Sequence, residues 1–501
     1  MTLITRRSFV RRTALCAALC ASPLASIGRS RGFFDADEQN DAPLDADVSR
    51  KLASRIVGQV FTPQNPEYDA ARVIFNRAFD RRPAVIVRCA AATDVARSLE
   101  FAQNHSLPIA VRGGGHNRAG FGVCDGGVVI DLSAMNRVEV DADKRVARAQ
   151  AGALVRDLDQ ATQRFALATT SGGCPTVGVA GFTLGGGEGL LMSKYGAGCD
   201  NLLSANVVTV DGKQVEASEN SNPDLFWAIR GGGGNFGVVT ALEYRLHSVD
   251  KVLAGNLTYP PGRIPELLQA FAKLVSGAPD ELNVVGELLP SEHGTRFMML
   301  FFYVGDFNRG KDLLRPWQAF KPVEDTVKVA SYLETQATIN PYSSVAHFQT
   351  VLTLPELNDA LIAMLATAAG NAPPNTRVFI VPLYGAISRV GVSETAFPLR
   401  QPAYELDLMG RWTTPAEKEV AVQWVTNLRD KLRPLARATY VNQLGETSED
   451  LVKLAYGPNY ARLVEIKKKY DPKNVLRLNQ NIKPDSSAKL NGAQIPIAGP
   501  E

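Results

Sequence analysis

At 501 residues the chain exceeds the usual limit for a single hydrophobic core, so two domains are the first expectation. Hydrophobic residues make up 45% and charged residues 21%, a balance that excludes a disordered chain, and no apolar run beyond the N-terminal segment is long enough to span a membrane. The 54 basic and 51 acidic residues nearly balance, and no basic patch indicates nucleic-acid binding.

Residues 1–30 are typical of an export signal. Arg6 and Arg7 are followed by Phe9 and by a short apolar stretch over residues 13–27, a pattern that resembles a twin-arginine signal. An ordinary secretory leader or a basic tail is the alternative. We expect a periplasmic or extracellular protein that has no membrane anchor once the signal is removed.

Four cysteines lie beyond this signal: Cys89, Cys124, Cys174 and Cys199. Four in so long a chain do not make a disulfide scaffold, although one disulfide is permitted outside the cytosol. We predict no metal site.

Residues 84–247 predict alternating strands and helices. The run AVIVRCA over residues 84–90 indicates a strand, and Thr93 is placed to cap a helix that extends to about residue 104. A strand over residues 107–111 follows, and residues 137–151 predict a hairpin.

Two glycine-rich loops in this region each contain one reactive side chain. The first, Arg112-Gly-Gly-Gly-His116, follows a predicted strand, and the second surrounds Cys174 between Ser171 and Asn201. Glycine has no Cβ and lets backbone amides approach a ligand closely, and successive N–H groups then form a concavity suited to a pyrophosphate. We interpret the loops as a cofactor cradle with a covalent tether. The alternative is a surface turn with a small buried cysteine.

A third loop, from Gly232 to Gly237, matches the dinucleotide pattern G-x-G-x-x-G. A helical segment precedes it and a strand from Val238 to His247 follows, which is the reverse of the order that a nicotinamide site needs. We therefore predict no nicotinamide site and assign the loop to the same ligand as the other two.

From residue 249 the pattern changes to amphipathic helices over 260–275, 308–320 and 415–433. Strands are predicted between and beyond the first two helices, over 282–289, 296–304, 376–384 and 404–412. This composition favours a second domain that consists of an antiparallel sheet with helices.

The motifs together resemble the berberine-bridge-enzyme-like flavoproteins of the p-cresol methylhydroxylase/vanillyl-alcohol oxidase superfamily. The motifs are R-G-G-G-H at 112–116, S-G-G-C-P-T-V-G-V-A-G-F-T-L-G-G-G at 171–187, Y-G-P-N-Y-A-R-L at 456–463 and N-Q-N-I at 479–482. The resemblance extends from about residue 48 to residue 484. It implies an α+β fold in which a two-part FAD-binding domain, residues 48–247 and 436–485, encloses an inserted substrate domain, residues 248–435.

The resemblance also implies two covalent links to FAD, from His116 to the flavin 8α-methyl and from Cys174 to C6. Val177 follows Cys174 by three positions, and a valine there is associated in relatives with access of dioxygen to the flavin; simple packing is the alternative. Together with the glycine loops, the resemblance predicts further FAD contacts at Arg112, Gly113, Gly114, Gly115, Asn117, Gly120, Thr176, Val177, Gly178, Gly181, Gly185, Gly186, Asn235, Gly237 and Asn479.

Three positions depart from the family pattern and put its usual proton path in doubt. Gln443 stands where a tyrosine often ends a Y-x-N-Y segment, Glu188 replaces the tyrosine of G-G-G-Y-G, and Phe182 replaces a frequent histidine. A general base is still required for oxidation of an alcohol or a hemiacetal.

The strand over residues 403–412 offers a candidate base. With a period of two residues, Glu405, Asp407, Met409 and Arg411 share one face, and acidic residues are uncommon in strands. We assign Asp407 as the base. The remaining candidate catalytic residues are Glu405, Glu188, Tyr440 and Gln443. A solvated sheet face whose carboxylates pair with Arg411 is the alternative.

These features predict an exported FAD oxidase that removes a hydride from a C–H beside oxygen or nitrogen and passes the electrons to dioxygen. A small-molecule alcohol or sugar hemiacetal is favoured over an amine, because carboxylates can take a hydroxyl proton. The alternatives are a dehydrogenase that uses a quinone or protein acceptor, and a flavin-carrying protein whose site is degenerate.

Overall fold

A computed structural model describes residues 44–339 and 344–485. The predicted export signal and the C-terminal residues 486–501 lie outside the described residues.

The first sheet places the histidine loop at the end of a buried strand. Its order is β1-β2-β4-β3, with β2, β4 and β3 parallel and β1 antiparallel to β2. Parallel strands with both faces covered are continuously apolar, and Val85, Ile86 and Val87 are fully buried. The elements of this part are α1 (Ala46–Ala53), β1 (Gln59–Phe61), α2 (Tyr68–Ala71), β2 (Val85–Arg88), α3 (Ala92–Asn104), β3 (Ile109–Arg112) and β4 (Val128–Asp131).

The second sheet is antiparallel, with the order β5-β6-β10-β8-β9. The cysteine loop lies in the connection between β6 and β8, and a two-stranded pair, β7 with β11, lies beside it. The elements are β5 (Val138–Asp141), β6 (Val146–Gln150), α4 (Val155–Gln163), β7 (Leu167–Ala168), α5 (Val179–Leu184), α6 (Met192–Tyr195), β8 (Leu202–Val208), β9 (Gln214–Ser218), α7 (Pro223–Ile229), β10 (Val238–Arg245) and β11 (His247–Ser248).

The third sheet has eight antiparallel strands in the order β15-β12-β14-β13-β18-β19-β17, with β16 also paired to β12. One face, which includes Leu406 and Leu408, packs in a hydrophobic core with helices α8, α9, α11 and α13. The elements are β12 (Lys251–Tyr259), α8 (Ile264–Ser276), β13 (Leu282–Leu289), β14 (Arg296–Tyr303), α9 (Phe307–Ala319), β15 (Glu324–Asp325), β16 (Lys328–Ser331), α10 (Tyr332–Ile339), β17 (Ala346–Leu354), α11 (Asp359–Gly370), β18 (Thr376–Leu383), α12 (Ala386–Arg389), β19 (Ala403–Trp412) and α13 (Pro415–Leu432).

The C-terminal helices α14 (Glu449–Tyr456) and α15 (Tyr460–Tyr470) return to the N-terminal sheets. The ammonium of Lys467 forms a fully buried ion pair with Asp471 at 2.6 Å and donates to the carbonyl of Asn235 at 2.9 Å. A buried charge needs such partners, so this contact ties α15 to the third glycine loop. The predicted α+β fold, in which segments on both sides of an inserted antiparallel sheet share one core, is therefore confirmed.

Most predicted elements are confirmed, including the hairpin of β5 with β6 and the helix and strand that flank the third glycine loop. The assignment of Thr93 as a helix cap is wrong, because α3 begins at Ala92 without a side-chain cap. The Asp94 carboxylate instead accepts the N–H groups of Val57, Gly58 and Ala90, which makes it a link between segments. Strand β17 and helix α11 were not predicted.

Within the two described ranges, no helix combines the length and apolarity needed to cross a membrane. The same ranges contain no group of His, Cys, Asp and Glu side chains suited to a metal ion. All four described cysteines are free thiols, so the permitted disulfide is not formed.

Candidate active site

The three glycine loops line one cavity of about 310 Å³, together with the C-terminal segments around Tyr440 and Asn479. This volume lies at the lower end of the range of about 300–1,000 Å³ that ligand pockets span. Of the predicted contact residues, those that line the cavity are Arg112, Gly113, Gly114, Gly115, His116, Asn117, Cys174, Val177, Gly178, Gly181, Gly185, Asn235, Gly237 and Asn479.

Three predicted contact residues are not in the cavity wall: Gly120, Thr176 and Gly186. Gly120 has a φ of +76°, and a Cβ there would lie 2.4 Å from the ring of Phe79. Gly186 has a φ of +120°, and a Cβ there would lie 2.4 Å from the ring of Phe397. These two glycines determine the backbone path of the loops outside the cavity wall, since only glycine adopts such angles readily in so little space.

The histidine and cysteine loops contact each other through their backbones. A Cβ on Gly114 would lie 2.3 Å from the backbone nitrogen of Gly178, and a Cβ on Gly178 would lie 2.3 Å from the backbone nitrogen of Gly114. Side chains at both positions are excluded, so this contact sets the separation of the two loops.

Thr176 brings the two reactive side chains together. Its Oγ1 lies 2.9 Å from Nε2 of His116 and 3.4 Å from Sγ of Cys174. The ring of Phe75 stacks on the imidazole of His116 at a centroid distance of 3.9 Å. His116 and Cys174 both line the cavity, and one hydroxyl group lies within hydrogen-bonding distance of both.

Burial keeps the imidazole of His116 neutral. Loss of hydration lowers its pKa to about 3, and the nearby side chains of Arg118 and His347 contribute in the same direction. A neutral imidazole retains the lone pair that a nucleophile needs.

The lining fits FAD, the cofactor that the resemblance implies. The Arg112 guanidinium donates through Nη2 to Asp131 at 2.9 Å and to the carbonyl of Ala71 at 2.7 Å, whereas its buried Nη1 has no hydrogen-bond partner among the described residues. Buried donors are nearly always paired, so we expect this N–H group to donate to an acceptor on a bound ligand. At Gly181 and Gly234, a Cβ would meet open space, as expected where a ligand approaches the backbone.

A cluster of carboxyl groups adjoins the cavity. Glu188 lines the cavity, and its carboxyl group hydrogen-bonds Glu405 on β19. Burial raises the pKa of Glu405 to about 7, while burial and the charge of Glu405 raise the pKa of Glu188 well above its usual value. Glu188 is therefore the protonated partner, which donates to Glu405.

Asp407 lies in the same cluster but not in the cavity wall. It is 7% exposed, and burial raises its pKa to about 7 although Arg118 opposes that shift. Glu405 is 1% exposed. The alternative of a solvated sheet face is therefore wrong.

A hydrogen-bonded chain connects Asp407 to the cavity. The Gln349 amide donates to Oδ2 of Asp407 at 2.6 Å and to Oε1 of Gln443 at 2.8 Å, and Gln443 also accepts from Nε of Arg118 at 3.2 Å. Oδ1 of Asp407 has no partner among the described residues. This buried oxygen therefore has a lone pair that no described residue uses.

Tyr440 lines the cavity and also supports a neighbouring turn. Its hydroxyl accepts from the backbone N–H groups of Gly187 and Glu188 and from the amide of Asn442, so it holds the turn that presents Glu188. Burial raises the pKa of Tyr440 well above its ordinary value, and the phenol stays protonated at neutral pH. It is a turn-forming group and a poor base.

Three residues of this site were not predicted. Arg118 lies in the histidine loop and could have been found from its distance of two residues from His116. Gln349 and His347 alternate on β17, a strand that was not predicted. His347 donates from Nδ1 to the carbonyl of Val345 at 3.0 Å, which leaves Nε2 facing Arg118 at 3.5 Å.

Comparison with known proteins shows the family to which the chain belongs. Residues 83–218 match the FAD binding domain family, and residues 439–483 match the family described as berberine and berberine like. The chain is similar to (R)-6-hydroxynicotine oxidase from Paenarthrobacter nicotinovorans, with 32% identity over 466 residues that cover 88% of this chain and 100% of the relative. It belongs to the berberine-bridge-enzyme-like FAD-linked oxidoreductases.

Two further similarities support the membership. An uncharacterised FAD-linked oxidoreductase from Bacillus subtilis is 31% identical over 443 residues, which cover 86% of this chain and 98% of the relative. The crystal structure of 6-hydroxy-D-nicotine oxidase from Arthrobacter nicotinovorans superposes with a TM-score of 0.80 at 28% identity, over 86% of this chain and 98% of that one. The berberine-bridge-enzyme-like chain is thus an FAD-dependent enzyme of this fold.

Proposed function

We propose that this enzyme holds its flavin by two covalent links, from His116 and Cys174, and oxidises an alcohol or sugar hemiacetal with dioxygen as the electron acceptor. The observation that supports the two links is Thr176, whose Oγ1 lies within hydrogen-bonding distance of both side chains. The apparent twin-arginine signal supports an exported protein, and cell fractionation of a strain with both Arg6 and Arg7 changed to Lys tests this assignment.

FAD, held by the glycine loops around His116 and Cys174, would supply the hydride acceptor for the substrate carbon. The chain must then take the hydroxyl proton, and Asp407 is the group suited to do so. Its carboxylate has one oxygen held by Gln349 and the other without a partner, and its pKa of about 7 matches a base that acts near neutral pH. Because Asp407 lies behind the cavity wall, the proton would pass to it through one water molecule, while Gln349 and Gln443 fix the position of its carboxylate.

The double attachment gives a direct prediction. We expect His116→Ala and Cys174→Ala each to retain flavin through the remaining link, and the double variant to release it in acid denaturant. Absorbance of the precipitated protein and the masses of the two flavin-bearing peptides measure the outcome. Colour that washes out of the unsubstituted protein contradicts both links, and a variant with unchanged attachment contradicts the assignment of that residue.

The acceptor and the substrate class need separate measurements. Val177 lines the cavity near Cys174, which is consistent with access of dioxygen. An oxidase forms peroxide at the rate at which substrate is consumed, whereas a dehydrogenase accelerates only when an artificial quinone is supplied.

An amine is the second candidate substrate, because the relative at 32% identity is named as an oxidase of a hydroxylated nicotine. A panel of matched alcohols, sugars and amines, read by anaerobic loss of flavin absorbance, separates the two classes. Bleaching by alcohols or sugars supports the first proposal, and bleaching by amines alone supports the second.

A further inference from the structure

Four buried side chains form a polar cluster outside the cavity. The cluster consists of Asp159 on α4, Ser171 at the start of the cysteine loop, and Tyr332 and Gln336 on α10. All four are at most 4% exposed, and none of them lines the cavity. The proposed chemistry makes no use of this cluster.

The contacts of this cluster converge on residues 171–173, which form the N-terminal stem of the cysteine loop. The Ser171 hydroxyl donates to Oδ1 of Asp159 at 2.9 Å and lies 3.2 Å from the hydroxyl of Tyr332. The Gln336 amide lies 3.2 Å from Oδ2 of Asp159 and donates to Oγ of Ser171 at 3.1 Å and to the carbonyl of Gly172 at 3.2 Å. Asp159 thus orients both groups that hold the stem.

The backbone on the two sides of Cys174 is held differently. On the C-terminal side, Val177 donates its N–H to the carbonyl of Cys174 at 3.1 Å, and Arg156 donates to that of Pro175 at 3.1 Å. On the N-terminal side, residues 171–173 make no hydrogen bond to another backbone group in the described part of the chain. The side-chain cluster supplies the missing support, since buried polar groups of the stem require partners.

We propose that Asp159 is a positioning residue, which through Ser171 and Gln336 holds the cysteine loop so that Sγ of Cys174 can bond the flavin. This inference rests on the proposed double attachment. In the net reaction the S–H bond and the flavin C6–H bond break and the S–C6 bond forms. Dioxygen takes the two electrons and two protons as hydrogen peroxide.

None of the hydrogen bonds of this cluster goes to the histidine loop. Asn117 holds that loop locally, because its Oδ1 accepts from the N–H groups of Ala119 at 3.0 Å and Phe121 at 3.2 Å. Loss of the cluster should therefore affect the two links unequally. A general loss of stability would reduce both.

The test uses Asp159→Asn in the purified holoenzyme prepared in air. Asparagine keeps the volume and one acceptor oxygen but replaces the other with an NH2 donor, so either Ser171 or Gln336 loses its acceptor. Since a 1 Å misplacement can cost about 10²-fold in rate, we expect the ratio of flavin-linked to unlinked Cys174 to fall at least about tenfold. The His116 link should stay complete. Peptide masses report both links.

Asp94→Asn is the matched control. Asp94 is equally buried and accepts three backbone N–H groups, yet it lies on α3 and contacts neither loop. We expect it to lower stability and leave the Cys174 ratio unchanged. If Asp159→Asn does not fold, Tyr332→Phe and Gln336→Leu, which each remove one donor to Ser171, must lower the same ratio.

Three results overturn the inference: an unchanged Cys174 ratio in the cluster variants, an equal loss of both links, or an equal fall in Asp94→Asn. Absence of the Cys174 link from the unsubstituted protein is a different result. It contradicts the proposed double attachment itself.

Discussion

Replacement of Asp407 by asparagine should slow reduction of the flavin by substrate by about 10²–10⁴-fold, the contribution that a positioned general base makes. The amide fits the same space beside Gln349 but cannot accept a proton. Stopped-flow absorbance under anaerobic conditions measures this step, and mixing of the reduced enzyme with dioxygen measures reoxidation. Only the first rate should fall.

The pH dependence follows from the same group. Because burial raises the pKa of Asp407 to about 7, its proton-accepting carboxylate form predominates only above that value. The rate of flavin reduction should therefore rise between pH 6 and pH 8 in the unsubstituted enzyme and be flat in Asp407→Asn.

Glu405→Gln is the matched control for Asp407. Glu405 is two residues away on the same face of β19, and its pKa is also raised to about 7. We expect a smaller loss of rate and a retained rise with pH. If Glu405→Gln abolishes the rise and Asp407→Asn does not, Glu405 is the base. Equal slowing of reduction and reoxidation in Asp407→Asn would remove it from proton transfer.

Substitution of Gly178 by alanine should prevent stable loading of FAD. The new Cβ would lie 2.3 Å from the backbone nitrogen of Gly114, and neither group is a flexible side chain that can move aside. Overpacking typically costs about 1–3 kcal/mol, and here the cost falls on the contact that spaces the two loops. The ratio of flavin to protein absorbance in the purified variant measures loading, and circular dichroism reports whether the rest folds.

Gly277→Ala serves as its control, because a Cβ at Gly277 meets no atom within 4 Å. We expect full loading in that variant. Full loading in Gly178→Ala as well would show that the loops separate without loss of the cofactor site. The close backbone contact would then have no part in holding FAD.

Several features of the site could be predicted because they depend on local backbone chemistry. The glycine loops around His116 and Cys174 are visible as short motifs in the sequence. A backbone that approaches a ligand closely needs glycine at those positions, whatever the rest of the fold. The period of two along residues 403–412 also placed Glu405 and Asp407 on one face correctly.

Other features could not be predicted because they join distant segments. Gln349 meets Asp407 only because β17 pairs with β19, and the sequence around β17 carried no motif that drew attention to it. In the sequence, Asp159 is one acidic residue of an ordinary amphipathic helix. Its role becomes visible only in the structure, where α10 places Tyr332 and Gln336 in the same cluster. Tyr440 was assigned as a possible base, yet its backbone donors lie some 250 residues away in sequence.

By itself the sequence determined the class of the protein: an α+β flavoprotein whose histidine and cysteine loops are built for close approach to a cofactor. Only the tertiary structure decided which carboxyl groups are buried together, which of them is protonated, and what holds each loop in place. The physical reason is that backbone freedom is a property of single residues, whereas desolvation, charge coupling and hydrogen bonding depend on neighbours that folding alone supplies.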